Sequence, residues 1–218
     1  GKRDYNNALI TTTSAEAGPT ATSGRITLKA SVYNTGTASE TATVVFTATK
    51  PDGTPVATPS GGWPSVKLSI LAGSTVDAHA HITVVSPELW SSSKPALYTV
   101  TATVAIGSAG TSTDVMSTSH GFRRLRYDAN DGFFLNEQHF KVRGFCDHNN
   151  FAVVGMAVPE RVNLFRAQAS RAVGGNGRRT SHNPPDASML DIYDRVGVVV
   201  MDENRLFDNQ TAYVMNEG

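Results

Sequence analysis

The chain has 218 residues, enough for one large or two ordinary domains. Lys plus Arg and Asp plus Glu number 19 each, so the formal net charge is zero, and no charged run points to nucleic acid or a polyionic partner. No apolar stretch approaches the roughly 20 residues of a membrane span, and the single cysteine, Cys146, can form neither an internal disulfide nor a cysteine-built zinc site.

Residues 1–119 are rich in Thr, Ser, Ala and Val and hold seven Lys/Arg against twelve afterwards, so two regions of different composition follow one another. The opening residues, GKRDY, are too polar for the apolar core of a secretory signal. Alternation dominates this first region. In RITLKASVY, Ile26, Leu28, Ala30 and Val32 share one face. TATVVFTAT repeats the pattern with Ala42, Val44, Phe46 and Ala48, and SVKLSI and AHAHITVV do the same. LYTVTATVAI gives Tyr98, Val100, Ala102, Val104 and Ile106. A period of two means strands with one buried face. Turn residues separate them at Asn34-Thr35-Gly36, Pro51-Asp52-Gly53 and Gly73-Ser74. About seven short strands predict an antiparallel sandwich of immunoglobulin-like type over residues 1–120. His79 and His81 fall on the polar face of a strand, as surface residues rather than metal ligands.

After Gly121 the pattern changes. FKVRGF (140–145) reads as a strand. VPERVNLFRAQASRAVGG reads as a helix whose apolar side is Val158, Val162, Phe165, Ala169 and Ala172, opened by Pro159 and ended by Gly174-Gly175. Residues 178–181 form a second strand, and 185–195 a second helix with Met189, Leu190 and Tyr193 on one side and Gly197 closing it. The apolar run 198–201 suggests a strand buried on both faces. Strand, helix, strand, helix, strand with short links predicts parallel βα units.

In each unit a polar cluster follows the strand: Cys146-Asp147-His148, then Ser181-His182-Asn183, then Asp202-Glu203-Asn204. Parallel α/β folds bind ligands at the carboxyl ends of their strands, where the βα loops converge. Carboxylates accept hydrogen bonds, Arg179 donates through a fork and His does either, so the set suits a polyol or sugar. Structural roles compete with this reading. Arg179 can pair with Asp202 or Glu203, His182 can cap the next helix, and Asp147 with His148 can be a loop pair. Cys146 is expected to be a small buried hydrophobe, because a nucleophilic thiol needs an electropositive site.

Three segments resemble glycoside hydrolase family 2, the group of β-galactosidases, β-glucuronidases and β-mannosidases. PELWSSSKPALYTV resembles the family's last sandwich strands, and HGFRRLRYDANDGFFLNEQHFKVRGFCDHNNF its link into the barrel. GGNGRRTSHNPPDASMLDIYDRVGVVVMDENRLFDN resembles barrel strands two and three. The resemblance implies an immunoglobulin-like sandwich over 1–120 and the N-terminal portion of a (β/α)8 barrel over 121–218. It implies part of a retaining hydrolase of terminal β-glycosides, or a non-catalytic module derived from one. Asp147, His148, Arg179, His182, Asp202, Glu203 and Asn204 then become candidate sugar contacts. The implied partners are a carbohydrate and the rest of the barrel or another chain. No cofactor is expected, although the family resemblance is compatible with a divalent or sodium ion.

Two departures stand out. Gly177 and Arg178 occupy positions where the family usually has two apolar residues, which puts a charge where a barrel core is expected. A full barrel takes roughly 250 residues, far more than follow Gly121. The family's acid/base is a Glu preceded by Asn after strand four. Asn216-Glu217 matches in letters, but Glu217 follows Glu203 by only fourteen residues, too few for a helix and a strand. No candidate for the second carboxylate of a retaining pair exists in this sequence.

Overall fold

The computed structural model describes residues 8–15, 23–57, 61–107 and 111–203. The chain forms two compact units: Gly1–Trp90 with Ala96–His139, and Ser91–Pro95 with Phe140–Gly218.

The first unit is a sandwich. One sheet has the order β1-β2-β5, from β1 (Ala8–Ala15), β2 (Ser23–Tyr33) and β5 (Thr75–Val85). The other has the order β4-β3-β6-β7, from β3 (Glu40–Thr49), β4 (Ser65–Ile70), β6 (Tyr98–Ile106) and β7 (Thr111–His120). Every pairing in both sheets is antiparallel. The alternating residues meet in one core: Ile26, Leu28, Ala30 and Val32 from β2 join Val44, Phe46, Val100 and Ala102 from β3 and β6. Ile106, expected inside, is 40% exposed at the end of its strand. His79 and His81 are exposed. At the turns, Gly53 adopts φ +82 and Gly73 φ +67, conformations that residues with a Cβ rarely take. His120 is buried beside Phe122, and burial pushes its imidazole down to about 4, so it is neutral at pH 7.

A further hairpin belongs to this unit: β8 (Leu125–Asp128), β9 (Gly132–Leu135) and β10 (Gln138–His139). The Asn136 side chain donates to the Trp90 carbonyl at 3.0 Å and accepts from the Arg124 amide at 3.0 Å. Arg126 lies over the Phe134 ring at 3.8 Å and pairs with Glu137 at 3.0 Å. The Asn136 contact ties this segment to Trp90, and the first unit runs to His139.

The second unit contains β11 (Gly144–His148), α1 (Glu160–Ala172), β12 (Gly177–Ser181), α2 (Ala187–Val196) and β13 (Val199–Met201). Its strands run parallel in the order β11-β12-β13. The first strand lies four residues later than 140–145. Its register pairs Gly144 with Gly177, and a Cβ on Gly144 would sit 1.8 Å from the Gly177 carbonyl oxygen. Only glycine permits that approach. Helix α2 begins with the Asp186 carboxylate accepting from the Ser188 amide and ends with Gly197 at φ +78. Ser92 donates to the Gly197 carbonyl at 2.6 Å, and Arg171 donates to the Ser92 carbonyl at 2.9 Å.

The core of this unit is Ala167, Met189, Ile192, Tyr193 and Val198, with Leu164, Val196 and Val200 beside it. The apolar side expected for α1 is not its buried side. Asn163 and Ala167 are buried, whereas Phe165 is 61% exposed. Helix α1 turns Leu164 and Ala167 toward α2, which leaves Phe165 on the other side. The strand 198–201 is not buried on both faces either. Met201 is 64% exposed, and β13 is an edge of the sheet among the described residues.

Gly144→Ala should therefore disrupt β11 and β12 while sparing the sandwich. Hydrogen exchange is expected to speed up across 144–148 and 177–181, with 23–49 and 98–106 unchanged. Unchanged protection of both strands would show that the close approach does not set the pairing.

Candidate functional site

Side chains alternate between the two faces of a strand. The register pairs Cys146 with Arg179 and Met201, and Asp147 with Thr180. One face of the sheet thus carries Cys146, His148, Arg179 and Ser181. The other carries Phe145, Asp147, Arg178 and Thr180.

The first face gathers a connected polar cluster. Arg179 pairs with Glu203 at 2.6 Å and donates to the Cys146 sulfur at 2.8 Å. His182 Nδ1 lies 2.8 Å from the other Glu203 oxygen. The His148 and His182 rings meet edge to face with centroids 5.4 Å apart. The Glu203 side chain is 11% exposed, while those of Arg179 and His182 are 41% and 55% exposed. A shielded carboxylate thus holds two accessible donors. Arg179 gives one N–H to Cys146 and one to Glu203, and its fork carries five.

Cys146 is exposed, not buried as expected. Its sulfur meets Ser181 Oγ as well as Arg179. The Ser181–His182 peptide is cis.

The second face turns toward the helices. Asp147 pairs with Arg178 at 2.7 Å and also with Arg166 of α1. Arg178 lies over the Tyr193 ring at 5.2 Å, with its side chain 7% exposed. The charge at position 178 therefore sits against α1 and α2, on the face opposite Arg179. Burial lowers the Arg178 pKa, which Tyr193 and Asp147 partly offset, and burial pushes the Tyr193 hydroxyl up to about 12.

Of the residues singled out in the sequence, the structure brings His148, Arg179, His182 and Glu203 together. It does not bring Asp147 to them, because Asp147 projects from the other face. Asp202 also lies apart, accepting from Thr180 Oγ1 at 3.1 Å. Asn204 and Glu217 lie outside the described residues. Among the described residues no group of three His, Cys, Asp or Glu could hold a metal.

Thr180 was not singled out. It is fully buried, and its hydroxyl donates to Asp202 while accepting the Glu203 amide at 2.9 Å. One hydroxyl thus fixes the backbone at the point where Asp202 and Glu203 diverge. Its sequence signal was weak, a threonine inside a strand between two obvious polar residues.

Comparisons with known proteins agree with this architecture. The family model "Glycosyl hydrolases family 2" matches residues 8–123, and "Glycosyl hydrolases family 2, TIM barrel domain" matches 128–217. The chain is 38% identical over 132 residues to beta-galactosidase BoGH2A of Bacteroides ovatus, covering 61% of this chain and 15% of that protein. It is 28% identical over 140 residues to a beta-glucuronidase of Bacteroides fragilis, covering 64% and 20%. Among solved structures, Bacteroides uniformis beta-glucuronidase 2, covalently bound to cyclophellitol-6-carboxylate aziridine, superposes with a TM-score of 0.83 at 25% identity. That match covers 95% of this chain and 24% of the other. The chain thus spans less than a quarter of the length of these relatives.

Replacing Thr180 by Val keeps the shape and removes the hydroxyl, leaving the Glu203 amide without its partner. Loss of such a bond costs about 1–3 kcal/mol. Exchange of the Glu203 amide should accelerate about tenfold in Thr180→Val and stay near the parental rate in Thr180→Ser, as read by NMR. Equal rates in all three proteins would remove Thr180 from the support of the site.

Proposed function

The chain belongs to glycosyl hydrolase family 2, and from that premise we propose that it is part of a retaining hydrolase of terminal β-glycosides. It would supply the sandwich and one segment of the sugar-binding rim. The observation that carries this reading is the cluster of Arg179, His182 and Glu203 at the carboxyl ends of β12 and β13. Ligands of parallel barrels bind at that end of the strands.

Glu203, held by Arg179 and His182, is an acceptor for sugar hydroxyls. Arg179 and His182 are donors on the same face. Hydrogen bonds of this kind raise the rate where they tighten as the sugar distorts toward the transition state. A retaining enzyme also needs two carboxyl groups about 5–5.5 Å apart, one to protonate the leaving oxygen and one to attack the anomeric carbon. No such pair is assigned among the described residues. The covalent adduct of the Bacteroides uniformis relative supports a nucleophilic mechanism for the family. Both β-galactosidases and β-glucuronidases occur among the relatives, which supports a β-glycoside without selecting the sugar.

A second reading is a non-catalytic carbohydrate-contacting module, which would keep the Arg179, His182 and Glu203 cluster as a sugar contact without a catalytic carboxylate pair. Kinetics separate the two. The 218-residue chain alone should not hydrolyse p-nitrophenyl β-galactoside or β-glucuronide. In a polypeptide carrying a whole barrel, Arg179→Ala or His182→Ala should lower kcat/KM by about tenfold or more while the protein stays folded. Parental turnover in both variants would sink the rim assignment. Absence of turnover in the whole-barrel parent would favour the module.

A further inference from the structure

Asn176 and Gly177 form the only Asn-Gly pair in the sequence. The Asn176 carboxamide is a clamp: its oxygen accepts from the Arg143 amide at 2.7 Å, and its nitrogen donates to the Lys141 carbonyl at 3.0 Å. The backbone amides of Asn176 and Gly177 both donate to the Arg143 carbonyl, at 2.7 and 2.9 Å. The Asn176 carbonyl accepts from the Val199 amide at 2.8 Å. One residue therefore ties the segment before β11 and the start of β13 to the start of β12, all within the second unit.

Gly177 is confined for a different reason: a Cβ there would meet Val142 Cγ1 at 2.3 Å. The clamp calls for an asparagine and the close approach calls for a glycine next to it, so the fold itself imposes a chemically labile dipeptide. A glycine amide carries no neighbouring Cβ to hinder its approach to the preceding side chain, and its backbone turns freely. In the folded chain both reacting groups are occupied. The Gly177 N–H is spent on Arg143, and the carboxamide is held at both ends. Attack of one on the other requires all three bonds to open.

We propose that Asn176-Gly177 is a deamidation site gated by opening of this clamp, and that the modification disables the pairing of β11 with β12. On opening, the Gly177 nitrogen gives its proton to base and attacks Asn176 Cγ. The Cγ–Nδ2 bond breaks, the leaving nitrogen takes up a proton and departs as ammonia, and a succinimide remains. Water then opens that ring at either carbonyl, giving aspartate or isoaspartate, with no oxidation or reduction. A carboxylate at 176 has no N–H for the Lys141 carbonyl, so two acceptors face each other. Isoaspartate also lengthens the main chain by one carbon, which displaces Gly177 from Gly144. The inference is independent of glycosidase activity, since it rests on the strand clamp alone.

The test holds the 218-residue chain in mildly alkaline buffer, with and without urea, and follows its tryptic peptide 172–178 by mass spectrometry. That peptide contains no other asparagine or glutamine. It should gain the mass of an amide-to-acid exchange, about tenfold or more slowly in the folded chain than in urea, because the reaction waits on local opening. Gly144→Ala leaves the dipeptide intact and should bring the rate without urea toward the rate in urea. Asn176→Asp reproduces the aspartate product, and hydrogen exchange of its Gly177 amide should be about tenfold faster than in the parent. Equal rates with and without urea overturn the gate, as does no mass gain in urea or a rate without urea that Gly144→Ala leaves unchanged. Parental protection of the Gly177 amide in Asn176→Asp overturns the disabling step.

Discussion

The second unit rests on a single close approach, Gly144 against the Gly177 carbonyl, where a Cβ would stand 1.8 Å from the oxygen. That approach sets the parallel register of β11 on β12. Register decides on which face each side chain emerges, because a slip of one residue sends every side chain to the opposite side. With Gly144 on Gly177, Cys146 meets Arg179 and Asp147 meets Thr180. Gly177 is confined as well, since a Cβ there would meet Val142 Cγ1 at 2.3 Å. Two glycines therefore define which polar groups gather on the Arg179 face and which turn toward the helices.

Strand β12 carries adjacent arginines with opposite fates. Arg179 reaches Glu203 and stays 41% exposed. Arg178 is buried over Tyr193 and paired with Asp147. A buried pair seldom stabilises a fold more than apolar packing would, because desolvation offsets much of the attraction. Arg178 thus makes its side of the sheet depend on Asp147. Arg179 is shielded less and lies on the opposite face. Thr180 separates these functions, its buried hydroxyl bonding both Asp202 and the Glu203 amide.

Much of the sandwich was legible in the sequence. Ile26, Leu28, Val44, Phe46 and Val100 alternate with polar residues, and all are fully buried. Strands β1 and β7 were harder to read, because ALITTTSA and TSTDVMSTSH are built largely from Ser and Thr. Arg179, His182 and Glu203 stood out by their position after apolar strands, and the structure joins them. Asp147 and Asp202 looked equivalent to them because they follow the same strands. Strand alternation separates Asp147 from Arg179, but only a known register shows it, and that register comes from a tertiary glycine contact. Helix α1 misled for a related reason. Phe165 has the spacing of a core residue yet lies exposed, so periodicity identified an apolar side without identifying what covers it.

The division of the sheet into two faces is tested most directly by a pair of double-mutant cycles on the 218-residue chain, read by denaturant unfolding of the second unit. Arg179→Met combined with Glu203→Gln should show a coupling of about 0.5–3 kcal/mol, as expected for residues in direct contact. Arg178→Met combined with Glu203→Gln should be additive to within about 0.5 kcal/mol. Coupling of Glu203 to Arg178 rather than to Arg179 would contradict the register and, with it, the proposed sugar contact.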